Sequence, residues 1–183
     1  MYSRTRTVVI VQVVVVYQSL WGNTAAVARA IAEGIGPDAR VVSTAEATGD
    51  VLTGTRFIVA GAPVLGFRMP SDRTVESIRL NPCSASRPPD LSHPSMRTWL
   101  DGLSAKSGYS AAFETRIWWS PGGAAGAILR GLDRAGYRPL AKGQRFIVKG
   151  KCGPLREGEL ERAVQWGTAL AEAVKRSMAV PTR

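Results

Sequence analysis

The chain has 183 residues, of which 45% are hydrophobic, and this suits one globular domain with a core of its own. Its formal net charge of +10 would suit nucleic acid, an anionic membrane or an acidic partner protein. The basic residues are scattered and do not alternate regularly with aromatics, which argues against a nucleic-acid-binding surface. Two cysteines, Cys83 and Cys152, form neither a disulfide framework nor a metal-ligand spacing, so we expect a reduced, cytoplasmic setting.

The first predicted element is a strand over residues 8–17, which is almost entirely β-branched and therefore expected to be buried on both faces. Residues 1–7 before it are expected to be disordered. The apolar run is interrupted by Gln12 and is shorter than the ~20 residues that span a bilayer. No small-residue cleavage site follows, so a central strand explains the run better than a signal peptide does.

A short polar loop over residues 18–24 follows this strand and leads into an Ala-rich helical pattern that ends near residue 34. Strand, loop and helix in this order are typical of a nucleotide-binding βα unit. Ser19, Asn23 and Thr24 offer side-chain donors, and Gly22 lets the backbone approach an anion closely. The free N–H groups and the dipole of the helix favour negative charge at the same place. Because this loop contains no Lys, neutral donors would hold a phosphate here, unlike in a P-loop.

Residues 17–24, YQSLWGNT, followed by Ala28, resemble the FMN phosphate loop of flavodoxins. That pattern is an aromatic, one residue, Ser or Thr, two residues, a small residue, one residue and Thr, and every specified position matches. Residues 152–160, CGPLREGEL, with Trp166-Gly167 further on, resemble a bacterial flavodoxin-domain family of the actinobacterial type. The resemblance implies non-covalently bound FMN, with the phosphate held by Ser19, Leu20, Trp21, Gly22, Asn23 and Thr24.

The rest of the chain alternates short strands with helical patterns. Further strands are predicted over 40–43, 56–60, 110–115 and 145–148, and helices over 95–103, 124–136 and 157–177. Residues 71–95 are expected to be an irregular excursion with one helical turn at most, and residues 178–183 a flexible tail. The prediction is one α/β domain over residues 1–183, a flavodoxin-like three-layer sandwich whose five-stranded parallel sheet has the order 2-1-3-4-5.

Two further loops are expected at the ligand-binding edge, because open α/β sheets bind ligands at the carboxyl ends of their strands. The loop after the third strand is apolar and contains Gly66, and the loop after the fourth contains two adjacent tryptophans. These could instead fold back onto the domain, cap the core edge or face a partner. Neighbours in an extended chain point opposite ways, so at most one tryptophan would face a flavin, and Trp118 is the candidate. The resemblance implies that the flavin ring lies between Pro63, Val64, Leu65, Gly66 and Phe67 on one side and Thr115, Arg116, Ile117 and Trp118 on the other, although the Trp-Gly-Asp pattern of many flavodoxins is absent.

The resemblance implies a redox protein that carries electrons through FMN, with the cofactor supplying the chemistry. We find no catalytic triad, no paired carboxylates and no metal-ligand spacing in the sequence. The expected counterpart is a redox partner protein or a small quinone or NAD(P)H, and the protein is expected to be a monomer or homodimer that neither binds nucleic acid nor spans a membrane. An FMN-dependent quinone or NAD(P)H oxidoreductase and a flavin-free flavodoxin-like binding module stay open as alternatives. A receiver-type signalling domain is disfavoured, since no pair of acidic residues follows the first strand.

The basic charge leads to an expectation about redox potential. Electron-carrying flavodoxins are typically acidic, which destabilises the anionic reduced flavin, whereas this chain is basic and places Arg68 and Arg116 in the predicted flavin loops. The fully reduced flavin is therefore expected to be less strongly reducing than in an acidic flavodoxin.

Overall fold

All strands run parallel in one sheet of the computed structural model, which describes residues 12–82 and 88–179. The predicted order is confirmed as β2-β1-β3-β4-β5, with a sixth strand also bonded to β4. The strands are β1 Val13–Tyr17, β2 Ala39–Ser43, β3 Phe57–Pro63, β4 Gly108–Ile117, β5 Tyr137–Pro139 and β6 Gln144–Val148. This order reverses the direction of winding between β1 and β3, which opens a crevice at their carboxyl ends.

One edge of β4 is shared by two short strands. Gly108 pairs with Tyr137 at the start of β5, and Phe113 pairs with Gln144 at the start of β6, so residues 140–143 leave the sheet between them. The sequence predicted β6 but missed β5. A three-residue strand of the sequence YRP, with only Tyr137 buried, contains too few residues to show an alternating pattern.

Helices cover both faces of the sheet and give three layers. They are α1 Asn23–Ile35, α2 Asp72–Leu80, α3 Met96–Asp101, α4 Ala125–Arg134 and α5 Glu159–Ala179. Successive strand residues point to opposite faces, so Val13 and Val15 pack with α1 and α5, whereas Val14 and Val16 pack with α3 and α4. Within the described residues, no helix has the length and apolarity to cross a membrane.

Helices α1 and α5 approach closely at two glycines. A Cβ at Gly34 would overlap the Val164 carbonyl oxygen, and a Cβ at Gly167 would overlap the Ile31 carbonyl oxygen. The Thr168 hydroxyl donates to the Gly34 carbonyl at 3.1 Å across the same contact. This packing fixes the axis of α1, whose amino end forms part of the candidate site.

Several predicted boundaries were wrong. Strand β3 continues three residues beyond its predicted end, because Gly61, Ala62 and Pro63 pair with β4 and the Phe113 ring fills the space beside Gly61. Helix α2 has nine residues where one turn at most was expected. Ser71 caps it by accepting from the Thr74 N–H at 3.3 Å, a reciprocal capping pattern that the sequence analysis overlooked.

Parts of other predictions lie outside the described residues. These are residues 1–7, residues 8–11 of the predicted first strand, Cys83, and residues 180–183 of the predicted tail, of which residues 178 and 179 belong to α5. Among the described residues no cysteine is free. The state of the described cysteine therefore does not support the expected reduced, cytoplasmic environment.

Candidate functional site

The loops at the carboxyl ends of β1, β3, β4 and β6 surround a cavity with about 680 Å³ of open space. Part of that space is continuous with bulk solvent. Most residues expected to bind a cofactor line it, namely Ser19, Leu20, Trp21, Asn23, Thr24, Pro63, Val64, Leu65, Gly66, Phe67, Thr115 and Ile117. Gly22, Arg116 and Trp118 do not. The cavity also contacts four residues that the sequence analysis did not select, namely Trp119, Ser120, Val148 and Lys151.

The amino end of α1 forms one wall of the cavity. Gly22 precedes the helix with a φ of 87°, which glycine adopts without strain, and no side chain caps the helix. The N–H of Ala26 donates to the Gly22 carbonyl at 2.9 Å, so the N–H groups of residues 23–25 precede the first helical bond. The first turn contains no acidic residue. This end of α1 therefore presents free donors and positive potential, as an anion site requires.

Two buried polar atoms beside these amides have no partner among the described residues. They are the Ser19 hydroxyl and the Trp21 indole N–H, and Ser19 is only 5% exposed. A buried donor without a partner costs about 1–3 kcal/mol. Both residues line the cavity, so an anionic group there would satisfy them. The donor set thus fits a phosphate group.

Asn23 and Thr24 join the loop over residues 18–24 to its neighbours. The Thr24 hydroxyl lies 2.8 Å from the Thr115 hydroxyl of β4, and Asn23 Nδ2 donates to the Cys152 carbonyl at 3.0 Å. A hydroxyl both donates and accepts, and an amide nitrogen has two hydrogens, so each side chain keeps capacity for a ligand. Their contacts hold α1, β4 and the loop after β6 at fixed spacing around the cavity.

The loop after β3 makes a tight turn at the cavity rim. Leu65 and Arg68 exchange backbone hydrogen bonds of 3.0 and 3.3 Å, with Gly66 and Phe67 between them at φ values of 56° and 67°. A left-handed backbone is strained for a bulky residue such as Phe. Phe67 is nevertheless held there with its side chain at the cavity and 54% of its surface exposed. An exposed, strained aromatic at a cavity is typical of a functional position.

The structure places Trp119, and not Trp118, at the cavity. Trp119 lines the cavity with 58% of its surface exposed, whereas Trp118 does not line it and is 74% exposed. Trp118 lies off the cavity because β4 ends at Ile117 and the chain turns at once. The alternation of an extended strand therefore does not reach residues 118 and 119.

Arg116 is buried away from the cavity. Its guanidinium donates to the Glu114 carboxylate at 3.0 Å and to the Gly122 carbonyl at 2.8 Å. Its charge is therefore already compensated, so it supplies no free cation to the cavity. Among the described residues that line the cavity, the cation is Lys151 instead, in the loop after β6. Its position just beyond the carboxyl end of a parallel strand was the signal that could have identified it.

The segment that leads into α3 packs on the loop over residues 18–24. The Asp90 N–H donates to the Leu20 carbonyl at 2.7 Å, and Leu91 packs beside Leu20. His93 pairs with Asp90 at 3.0 Å and contacts the edge of the Tyr17 ring. Burial raises the pKa of Asp90, but hydrogen bonds from Ser92 and the nearby His93 outweigh it, so the pKa lies below its ordinary value. Asp90 is thus favoured as the carboxylate that accepts from His93.

No protein-family model and no curated protein sequence matches the chain. Solved structures do match it. A flavodoxin from the domain Archaea shares 23% identity over 89% of this chain and 98% of its own, with a TM-score of 0.61. Oxidised flavodoxin 1 from Bacillus cereus shares 18% identity over 89% and 97%, with a TM-score of 0.58. Rubredoxin oxygen:oxidoreductase from Desulfovibrio gigas shares 17% identity over 92% of this chain but 37% of its own, with a TM-score of 0.57.

The fold is flavodoxin-like. At these identities the likeness establishes the fold alone, and the residues of the cavity must carry any argument about a ligand. In this flavodoxin-like fold the cavity lies at the switch point between β1 and β3, where doubly wound sheets bind their ligands. Among the described residues, no group of three or more His, Cys, Asp or Glu side chains is arranged to hold a metal ion.

Proposed function

We propose that this chain is an FMN-binding redox protein that carries electrons through non-covalently bound FMN. The observation that carries the proposal is the uncapped amino end of α1 beside two buried donors, Ser19 Oγ and Trp21 Nε1, that lack partners among the described residues. Exposed aromatic side chains, Phe67 and Trp119, lie around the same cavity. A ligand with an anionic group and a flat ring would match both features, and the flavodoxin-like fold supports FMN as that ligand.

The proposal assigns the phosphate and the ring to different residues. The phosphate would be held by the loop and the first turn of α1, from Ser19 to Thr24, including the backbone at Gly22. The ring would contact Phe67 and Trp119, with the backbone of residues 63–66 and the side chains of Thr115 and Ile117 beside them. Arg116 and Trp118, which the resemblance implied, are not part of this assignment.

Bound FMN would supply electron transfer, and the protein would supply binding and orientation. None of the described residues that line the cavity is His, Cys, Asp or Glu. Of the side chains that usually act as general acids, general bases or thiol nucleophiles, the described lining therefore contains only Lys151. The Lys151 ammonium adds positive potential, which favours a negatively charged ligand or a reduced flavin.

An FMN-dependent quinone or NAD(P)H oxidoreductase is the second candidate. It is favoured by the exposure of Phe67 and Trp119, because an open aromatic rim leaves room for a second flat molecule. Steady NAD(P)H oxidation with a quinone would support this enzyme. Reduction only through a separate reductase would support the carrier. For either function we propose a cytoplasmic location and a monomer or homodimer.

The test is a titration of the purified protein with FMN and with riboflavin, which lacks the phosphate, followed by absorbance. Ser19→Ala is expected to weaken FMN binding about 10-fold or more, because a charge-assisted hydrogen bond is lost, and to leave riboflavin binding unchanged. Ser77→Ala, on the exposed face of α2, is the matched control and should change neither affinity.

Two results would contradict the proposal. If saturating FMN never binds, the chain is a flavin-free module of this fold. If Ser19→Ala weakens FMN and riboflavin equally, the phosphate is not held at the amino end of α1.

A further inference from the structure

Glu114 on β4 is a buried carboxylate that lies behind the cavity and does not line it. It is 3% exposed, and its Oε2 accepts from the backbone N–H groups of Ala124 and Ala125 at 2.7 and 2.9 Å. Ala124 precedes α4 and offers no side-chain acceptor, so Glu114 takes the place of a capping residue from another element.

The other oxygen of Glu114 is used by Arg116, two residues further along the same strand. Arg116 points to the same face of β4 and donates from NH1 to Glu114 Oε1 at 3.0 Å. The same nitrogen donates to the Gly122 carbonyl at 2.8 Å. The ion pair therefore holds both ends of the loop over residues 118–123, which carries Trp119.

The held loop in turn supports the strained turn at Phe67. Gly122 has a φ of 73°, and a Cβ there would overlap the Phe67 carbonyl oxygen. The Gly123 N–H donates to that same oxygen at 3.2 Å. A continuous set of contacts thus runs from Glu114 through Arg116 and Gly122 to Phe67, and it joins the loop that carries Phe67 to the loop that carries Trp119.

We propose that Glu114 and Arg116 are positioning residues that set the spacing between Phe67 and Trp119, without touching the ligand. A buried ion pair is a weak stabiliser, because desolvation of the charges offsets most of their attraction. Its directional hydrogen bonds do restrict where the bonded groups can lie. Here they hold the loop that carries Trp119 against the loop that carries Phe67. The inference deepens the proposed function, because a flavin ring is the group that this spacing would receive.

Two variants separate the parts of this arrangement. Glu114→Gln keeps one acceptor oxygen for the α4 amides, but its NH2 group cannot accept from Arg116. The double variant E114Q/R116M removes both charges, so that no unpaired charge remains buried. E172Q/R176M is the matched control, because Glu172 and Arg176 form an exposed pair on α5 at 3.7 Å.

The first readout needs no cofactor. Amide hydrogen exchange of the flavin-free protein is expected to become at least 10-fold faster at Gly123 in both Glu114 variants, while the amides in the middle of α5 keep their wild-type protection. The control should match the wild type throughout. Wild-type exchange at Gly123 in the double variant would overturn the proposal.

The second readout uses flavins. FMN and riboflavin affinities are expected to fall together, by about 10-fold, in the double variant, and flavin fluorescence should be quenched less than in the wild type because the aromatic contacts are looser. Wild-type affinity and quenching would overturn the positioning role. If the wild type binds neither flavin, the proposed function fails, and hydrogen exchange still decides whether the ion pair orders the two loops.

Discussion

Single residues at the cavity rim decide which aromatic groups a ligand would meet. Phe67 is kept in a left-handed conformation by the backbone bonds between Leu65 and Arg68 and by the close approach of Gly122. Strain of this kind persists only where surrounding contacts over-determine it. The conformation brings a large apolar side chain to the rim without burying it, which suits contact with a flat ligand better than it suits packing in a core.

Trp119 and Trp118 provide a matched pair of exposed tryptophans. Trp119→Ala is expected to weaken flavin binding by about 5- to 50-fold, because the variant loses both the apolar area that a bound ring would bury and about 0.5–1.5 kcal/mol of ring stacking. Trp118→Ala should leave the affinity within 2-fold of the wild type, since Trp118 does not line the cavity. Equal losses in the two variants, measured by fluorescence titration with riboflavin, would place the ring outside the cavity described here.

Phe67→Asn is expected to weaken flavin binding and to stabilise the flavin-free protein. Asn tolerates the left-handed conformation better than Phe does, so the free energy of unfolding without flavin should rise by about 0.5–1 kcal/mol. Riboflavin affinity should fall, because the aromatic contact is lost. Denaturant unfolding and flavin titration measure the two effects. A less stable variant with undiminished affinity would mean that the conformation of Phe67 serves packing alone.

Whole elements determine where the amino end of α1 points. The axis of α1 is fixed by its contact with α5, where Gly34 and Gly167 leave no room for a side chain. The amino ends of α2 and α3 are joined by the Asp72 carboxylate, which accepts from the Thr98 hydroxyl at 2.9 Å. Both contacts lie away from the cavity, but the first fixes the helix whose amino end lines it.

Gly34→Ala is expected to destabilise the protein by about 2–4 kcal/mol, because the helices must separate to admit a methyl group against the Val164 carbonyl. Gly126→Ala is the control. It is also a helical glycine, but its Cβ would meet only the end of the flexible Arg130 side chain, so the variant should be as stable as the wild type or up to about 1 kcal/mol more stable, because Ala favours a helix over Gly. Thermal or denaturant unfolding decides the matter, and similar costs for both variants would contradict the close contact between α1 and α5.

Asp72 should make part of the stability dependent on pH. Hydrogen bonds from Ser95, and then from Thr98, lower the pKa of Asp72 below its ordinary value of 3.8. A lowered pKa means that the stabilisation is complete above pH 3.8 and is lost as the pH falls through the lower value of the folded protein. Asp72→Asn should therefore unfold with a weaker acid dependence below that pH. Asp133→Asn serves as the control, and identical acid profiles for wild type and Asp72→Asn would refute the link between α2 and α3.

At the scale of the whole molecule, the net charge of +10 and the position of Lys151 create a field that attracts anions. The buried Arg116 adds little to the cavity, because Glu114 compensates its charge. The expected rise in the redox potential of a bound flavin therefore depends on Lys151, Arg68 and the summed surface charge. Arg116 is no longer expected to contribute to it.

Salt should slow the association of FMN but not of riboflavin. The phosphate of FMN is negatively charged and riboflavin is neutral, so only FMN is steered by the positive field. Raising the ionic strength from 0.01 to 0.15 M shortens the screening length from about 30 to about 8 Å and should lower the FMN association rate several-fold. Stopped-flow fluorescence measures both rates. A salt-independent FMN rate would show that the net charge has no effect at the cavity.

The arrangement of β1, the loop over residues 18–24 and α1 could be predicted because strand, loop and helix are contiguous in the chain. The hydrophobic run, the loop over residues 17–24 and the Ala-rich helix fix one another locally, and the alternation of strands and helices is enough to indicate the sheet order. The ring side is different, because its parts come from loops after β3, β4 and β6. No local pattern states which of the two tryptophans lines the cavity.

The sequence by itself thus determined the fold class and the strand order, since short-range periodicity encodes them, and its motif located the loop that we propose as the phosphate site. The tertiary structure alone decided that Trp119 and not Trp118 lines the cavity, that Arg116 is buried against Glu114, and that Gly122 contacts Phe67. These features depend on how three distant loops pack, and the tight turn after β4 cancels the alternation on which a sequence-based assignment depends. The split into β5 and β6 has the same origin, because three residues at a sheet edge become a strand only when β4 pairs with them.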